Sequence, residues 1–201
     1  ELFPFLSAGI WHSRNLTFST QFSWRAITTE ASLFGSEGYG YGLGIASDFL
    51  GHKLISHGGS VFVYTSFFAY MPDAGVKVSV LSNTTGFPMS EIAHYGIALA
   101  LDADPERIHY FRRNRILRQL QGRYGSFMNR IVDEITVHGD LLELRNNFVE
   151  GSVILVPETI DENHSSFYTM NNGRRTISEF FIRQDGRVEL IHGGVRFRKI
   201  A

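Results

Sequence analysis

Alternation of apolar and polar residues marks strands in the first half of the chain. Val76, Val78 and Val80 alternate with Lys77 and Ser79, the spacing of a strand with one face packed on a core. Three earlier segments also have strand character: residues 43–46, 53–56 and 64–71. The Pro-Asp-Ala-Gly sequence of residues 72–75 predicts a turn, because proline presets φ and glycine accepts a positive φ. These elements together predict an antiparallel meander.

Helical signals follow this meander. Small and apolar residues fill most positions of residues 90–101, which predicts a well-buried helix. Asp104 and Pro105 suit the N-cap and first position of a second helix, which we expect to end at Gly122. Five arginines lie on it: Arg107, Arg112, Arg113, Arg115 and Arg118. We interpret them as a solvated or interdomain face, with binding to nucleic acid or to an acidic partner as the alternative.

Turn dipeptides recur in the remaining part of the chain: Gly139-Asp140, Asn172-Gly173, Asp185-Gly186 and Gly193-Gly194. Short alternating runs lie between them, which is typical of an antiparallel barrel or sandwich. The organisation predicted is a first domain over residues 1–103, an arginine-rich connecting helix over 104–121 and a β-barrel over 122–201.

Composition excludes several classes of function. The 201 residues carry a net charge of −1 and contain no cysteine, so no global field favours nucleic acid, and disulfides and cysteine-bound zinc are ruled out. No apolar run is long enough to predict a membrane span. The first residues, Glu-Leu-Phe-Pro-Phe, do not resemble a signal peptide. We interpret the chain as part of a longer polypeptide, and the cytoplasm and export both remain open.

Histidine spacing predicts no metal site. His52 and His57 are five residues apart and are separated by the predicted strand of residues 53–56, so their side chains should point to opposite faces. His138, His164 and His192 lie near turns and are expected to be solvated. No cofactor is predicted.

Five short motifs occur in a fixed order: residues 7–13 (Ser-Ala-Gly-Ile-Trp-His-Ser), 40–45 (Gly-Tyr-Gly-Leu-Gly-Ile), 57–59 (His-Gly-Gly), 71–73 (Met-Pro-Asp) and 81–83 (Leu-Ser-Asn). This series resembles the C-terminal part of the serine β-lactamase and penicillin-binding-protein-like hydrolases, a family that includes class C β-lactamases and D-aminopeptidase-like serine peptidases. Residues from about 120 to 201 resemble the lipocalin-like barrel appended to some members. The resemblance implies an α+β fold: a partial β-lactamase-like antiparallel sheet with helices, followed by a small all-β barrel.

The resemblance also implies roles for individual residues. In this family an acylated serine needs two hydrogen-bond donors for its oxyanion, and the Ser60 backbone N–H takes one of these positions. His57 would point into the cleft and support proton transfer or bind a carboxylate, in a way that depends on pH. Gly58 and Gly59 would let substrate backbone approach the strand, and Tyr41 would line the cleft.

Two motifs of the family are missing. None of the three lysines has a serine three residues before it, and no Tyr-x-Asn motif occurs. The nucleophile is therefore expected from an N-terminal segment or a second chain, and this chain alone is expected to be inactive. The complete enzyme would hydrolyse a small peptide, ester or β-lactam through an acyl-serine intermediate.

Two other functions remain open. The chain could be a non-catalytic ligand-binding module, or an assembly protein in which the barrel builds a homo-oligomer. The alternative for His57 is an ordinary turn histidine, and the alternative for Tyr41 is a packing residue. Ser60 is not expected to be a nucleophile, because its surroundings lack the second glycine of a nucleophile elbow.

Overall fold

The computed structural model describes residues 6–12, 38–40, 42–147 and 151–200. The chain divides into two compact units, Glu1–Ile108 and His109–Ala201. This division falls within the segment that was expected to connect two domains. Each unit has its own hydrophobic core.

A six-stranded antiparallel sheet forms the first unit. Its strands are β1 (Leu6–His12), β2 (Gly38–Gly40), β3 (Leu43–Phe49), β4 (His52–Val61), β5 (Tyr64–Met71) and β6 (Val76–Ser82). They are arranged in the order β1-β6-β5-β4-β3-β2. Helix α1, Met89–Ala100, follows the last strand.

One face of this sheet packs against α1. Val76, Val78 and Val80 are buried on β6, and Ala93 and Ile97 of the helix join them in one core cluster. The valines recur at every second position, so the alternation seen in the sequence marks the buried face of β6. The Pro-Asp-Ala-Gly turn forms before it, and the Gly75 N–H donates to the Met71 carbonyl oxygen at 2.9 Å.

The second unit is a closed barrel preceded by helix α2, His109–Leu120. Its strands are β7 (Gly122–Ser126), β8 (Ile131–His138), β9 (Leu141–Asn146), β10 (Ser152–Thr159), β11 (His164–Asn171), β12 (Arg174–Ile182), β13 (Val188–His192) and β14 (Val195–Lys199). Each strand pairs with its sequence neighbours, and β14 closes the ring against β7. The barrel predicted from the turn dipeptides is therefore present.

Large side chains fill the barrel. Tyr124, Phe167 and Phe180 are fully buried, and Phe180 makes edge-to-face contacts with the other two rings. The apolar face of α2, with Leu117 and Leu120 fully buried, belongs to the same core. Helix and strands therefore share one hydrophobic core, as a packed domain requires.

The predicted α+β fold class is wrong. The described residues are mostly strand, arranged as an antiparallel sheet and a closed eight-stranded barrel, and their α-helices are α1 and α2. Alternating runs and turn dipeptides predicted strands along most of the chain. The α+β class was instead taken from the resemblance. Helical periodicity in the sequence covers the two segments above and a weak third one at Phe18, Phe22 and Ile27, which lies outside the described residues.

The second predicted helix is also shorter than expected. Asp104 caps a single turn of 3₁₀-helix, Pro105–Arg107, by accepting a hydrogen bond from the Glu106 N–H at 2.9 Å. Ile108 then adopts extended dihedral angles, which interrupt the helix before α2 begins.

Candidate functional site

The predicted site residues lie on the second half of β4. His57, Gly58, Gly59 and Ser60 are all exposed there. They pair with β5 through a register that includes His57 opposite Phe68 and Ser60 opposite Thr65. On the other side of β4, the register with β3 ends at Ser56 opposite Gly44 within the described residues. Among the described residues, the segment after Ser56 therefore pairs with β5 and not with β3.

Gly58 and Gly59 differ in their surroundings. A Cβ atom added to Gly59 would lie 2.7 Å from Ser66 Oγ on β5, well inside van der Waals contact. A Cβ atom on Gly58 would meet Phe67 at an ordinary 3.6 Å. A side chain at position 59 would therefore require the Ser66 hydroxyl to move.

A cleft of about 460 Å³ begins where β4 turns into β5. Its lining includes Gly59 and Ser60 of β4 together with Ser66 of β5, and Leu81 and Asn83 at the end of β6. Two motifs that are separate in the sequence therefore meet at one surface. His57 and Gly58 precede this cleft on the same strand but do not line it. Tyr41 lies outside the described residues.

The two histidines of β4 have different partners. His57 lies beside Phe68, with ring centroids 6.5 Å apart. His52 Nδ1 is 2.9 Å from Asp73 Oδ2 in the turn after β5. Burial opposes ionisation of Asp73, but its bonds to His52 and to backbone N–H groups lower its pKa on balance. Their odd spacing on β4 places the two histidines on opposite faces, which is incompatible with a shared metal site.

A polar cluster inside the barrel was not predicted. Asp133 is fully buried, and its Oδ1 accepts a hydrogen bond from Asn146 Nδ2. Its Oδ2 is buried without a hydrogen-bond partner. Nearby, His192 Nδ1 and Ser178 Oγ are 2.7 Å apart. His192 is thus tied into the barrel, and its predicted solvation is wrong.

Burial shifts the pKa values of both ionisable groups in this cluster. Desolvation raises the pKa of Asp133, although the hydrogen bond from Asn146 and the charge of His192 oppose that change. Desolvation lowers the pKa of His192, against the influence of Asp133. The sequence did contain a signal for one of them: Asp133 occupies an inward position of β8 between the apolar residues Ile131 and Ile135.

Two arginines of α2 are anchored to the barrel. Arg113 Nη2 donates to the Asp140 carbonyl oxygen at 2.8 Å, and Arg115 pairs with Glu162 at 2.6 Å. Both therefore have structural roles within the second unit. Among the described residues, no group of three metal-ligating side chains occurs and no helix is long and apolar enough to cross a membrane.

A known family model matches most of the second unit. Residues 105–198 match the family model of the Pab87 octamerisation domain. The chain is also similar to a solved octameric penicillin-binding protein homologue from Pyrococcus abyssi. The two share 39% sequence identity with a TM-score of 0.72 over 87% of this chain. Because the chain covers 41% of that protein, it spans less than half of its relative's length.

Two further solved structures are much less similar to this chain. Two SurE structures, one of them with D-Leu, are each 16% identical to this chain, with TM-scores of 0.36 and 0.31. They cover 90% and 87% of this chain, and the chain covers 44% and 41% of them. The curated proteins contain no match. The comparisons thus show a likeness to a penicillin-binding protein homologue and, over residues 105–198, to an octamerisation domain.

Proposed function

We propose that the second unit is an assembly domain that holds copies of this chain in a homo-octamer. The observation that carries this proposal is the match of residues 105–198 to an octamerisation domain. The 39% identical relative from Pyrococcus abyssi, whose structure is octameric, gives it further support.

The construction of the barrel supports the same function. Tyr124, Phe167, Phe180 and Leu190 are fully buried inside it, and packing of this kind keeps an interior closed to ligands. The outer surface is then the part of the barrel that acts on other molecules. A closed ring has no free strand edges, so contacts between copies use side chains rather than added strands.

Mass measurement in solution tests the proposal. Light scattering coupled to size-exclusion chromatography should give about eight times the 22.7 kDa of one chain, and dilution should dissociate the particle reversibly. A mass of 22.7 kDa at all concentrations would contradict the octamer.

A second function concerns the first unit. It would form one wall of an acyl-transfer site in a serine hydrolase of the penicillin-recognising type. Support comes from the relation to a penicillin-binding protein homologue and from the cleft that joins Gly59 and Ser60 to the Leu-Ser-Asn end of β6. The Ser60 N–H would stabilise the oxyanion, Gly58 and Gly59 would lie along the substrate, and Tyr41 would line its path.

The nucleophile in this proposal comes from an N-terminal segment or chain. The substrate would be a small peptide, an ester or a β-lactam. A fluorophosphonate probe followed by intact mass analysis tests this: the expected adduct forms on that other segment, and the chain of 22.7 kDa gains none.

His57 can be tested in the assembled enzyme. Substituting His57→Ala should lower kcat/KM by about 10²-fold, the usual effect of losing an acid–base group. The matched control is His52→Ala, on the opposite face of β4, which removes the 2.9 Å contact between His52 Nδ1 and Asp73 Oδ2. An equal effect of both changes would argue for a structural role of His57.

A further inference from the structure

The outer side of β10, β11 and β12 carries an apolar surface. We call it the β10–β12 face, and its members are Ile154, Val156, Tyr168, Met170 and Ile177. Ile154 is 41% exposed, Met170 59% and Ile177 50%. These residues alternate with buried neighbours such as Leu155, Thr169 and Ser178, so their side chains point away from the barrel core.

Strand register joins these residues into one surface. Val156 lies opposite Tyr168, and Tyr168 lies opposite Ile177. Three side chains therefore form a row across three adjacent strands, at the spacing of directly interacting neighbours. Met170 lies two residues from Tyr168 on the same side of β11. A contiguous apolar surface of this kind on a soluble domain marks an interaction site.

The charges on this face are balanced. Arg175 Nη2 donates to Glu158 Oε1, and the Arg175 guanidinium lies over the Tyr168 ring, 4.5 Å from its centroid. The ion pair crosses the face from β12 to β10. A second copy turned to meet the face would thus encounter both signs of charge, which suits a contact between identical surfaces.

Another groove on the same barrel has the opposite character. Arginine and lysine dominate its charged lining: Arg183, Arg187, Arg196, Arg198 and Lys199 stand against Asp185 and Glu189. Two copies of this basic groove would repel each other, because like charges facing each other disfavour association. The β10–β12 face carries no such excess of positive charge, so electrostatics favours it over this groove for contact between identical surfaces.

We infer that the β10–β12 face binds the same face of a second copy of this chain, across a two-fold axis. This inference rests on the proposed assembly function. A two-fold contact alone yields only a dimer, so an octamer needs another interface as well. Loss of the β10–β12 contact should therefore leave a smaller particle rather than a misfolded chain.

Substitutions on the face test this inference. Ile177→Glu and Val156→Glu should reduce the measured mass to half that of the octamer or less, and raise the dissociation constant by about 100-fold or more. Met128→Glu is the control, because Met128 is 94% exposed in the turn between β7 and β8. Circular dichroism and thermal unfolding should show that all three variants remain folded.

The outcomes distinguish the inferred contact at the β10–β12 face from the proposed assembly function. Octamers that persist in both face variants would overturn the inference and leave the assembly function intact. Dissociation by Met128→Glu in place of the face variants would likewise overturn it. An unmodified chain that is monomeric would remove the assembly function and the inference with it.

Cross-linking provides a second test that does not depend on affinity. Because the chain contains no cysteine, Met170→Cys introduces a single thiol on the face, and Met128→Cys a single thiol elsewhere. A short bismaleimide should convert the first variant, but not the second, into covalent dimers. Absence of dimers from Met170→Cys in an octameric sample would contradict a two-fold contact here.

Discussion

Lys199, in the last strand of the barrel, donates a hydrogen bond from Nζ to the carbonyl oxygen of Gln119 at 2.9 Å. Gln119 lies in the last turn of α2, where carbonyl groups have no partners within the helix. Burial lowers the pKa of Lys199, whereas a cation near a helix C-terminus is favourable. The bond thus connects the last strand of the barrel to the C-terminal end of helix α2.

Removal of this bond should destabilise the barrel. Lys199→Met keeps much of the apolar chain length but removes the donor, and should lower the unfolding free energy by about 1 to 2 kcal/mol. Guanidinium denaturation followed by far-ultraviolet circular dichroism measures this change in unfolding free energy. The control Arg112→Met, at an exposed position on the same helix, should change the value by less than about 0.5 kcal/mol. Equal losses would show that Lys199 contributes little through this bond.

The buried Asp133 and His192 should give the barrel two opposing pH dependences. The pKa of Asp133 is raised above 3.8 in the folded state, so stability should fall as pH rises from 3.8 through the raised pKa. The pKa of His192 is lowered below 6.5, so the unfolded state binds the proton first. Stability should therefore fall as pH decreases below 6.5.

Two variants separate these contributions. Asp133→Asn should gain stability relative to the unmodified chain as pH rises through the Asp133 window. His192→Gln should gain relative stability as pH falls below 6.5. Denaturation curves from about pH 4 to about pH 8 provide the data. Parallel stability curves for either variant and the unmodified chain would show that the corresponding group does not titrate as the structure implies.

The aromatic core predicts a large effect for Phe180. Its ring contacts those of Tyr124 and Phe167, with centroids 5.8 and 5.5 Å away. Phe180→Ala should lower the unfolding free energy by about 3 to 5 kcal/mol, because it leaves a cavity in a packed interior. Phe181→Ala, one residue along on the outer side, should cost about 1 kcal/mol. Comparable losses at both positions would contradict the filled interior.

The close approach of Gly59 to Ser66 has a testable effect on the stability of the first unit. Gly59→Ala places a methyl group against Ser66 Oγ and should destabilise the sheet by about 1 kcal/mol or more. Gly58→Ala, with ordinary contacts, should change stability by less than about 0.5 kcal/mol. Adding Ser66→Ala to Gly59→Ala should restore stability in a double-mutant cycle. No recovery would place the strain elsewhere.

Local structure was largely predictable from sequence. Alternation located β6 through Val76, Val78 and Val80, and Asn172-Gly173 located the turn between β11 and β12. Asp104 was recognised as a cap, but the extended backbone at Ile108 was not, since β-branched residues are tolerated in helices as well as in strands. The predicted fold class was wrong because it was taken from the family resemblance and not from the hydrophobic periodicity of the sequence.

Contacts distant in sequence were the part that could not be predicted. The cleft needs Ser60 and Asn83 together, which follows only from the register of three strands. Closure of the barrel depends on the pairing of β14 with β7, which no local pattern encodes. Asp133 was missed because a single polar residue inside an apolar alternation also occurs on strands with no buried cluster.

Closure of the ring has a consequence for how the barrel is attached. The Ile200 N–H donates to the Arg123 carbonyl oxygen at 2.8 Å, so the polypeptide leaves the barrel beside the point where it enters. Joining the two ends and opening the Asn172-Gly173 turn instead would preserve every other strand pair, giving a permuted gene for the same ring.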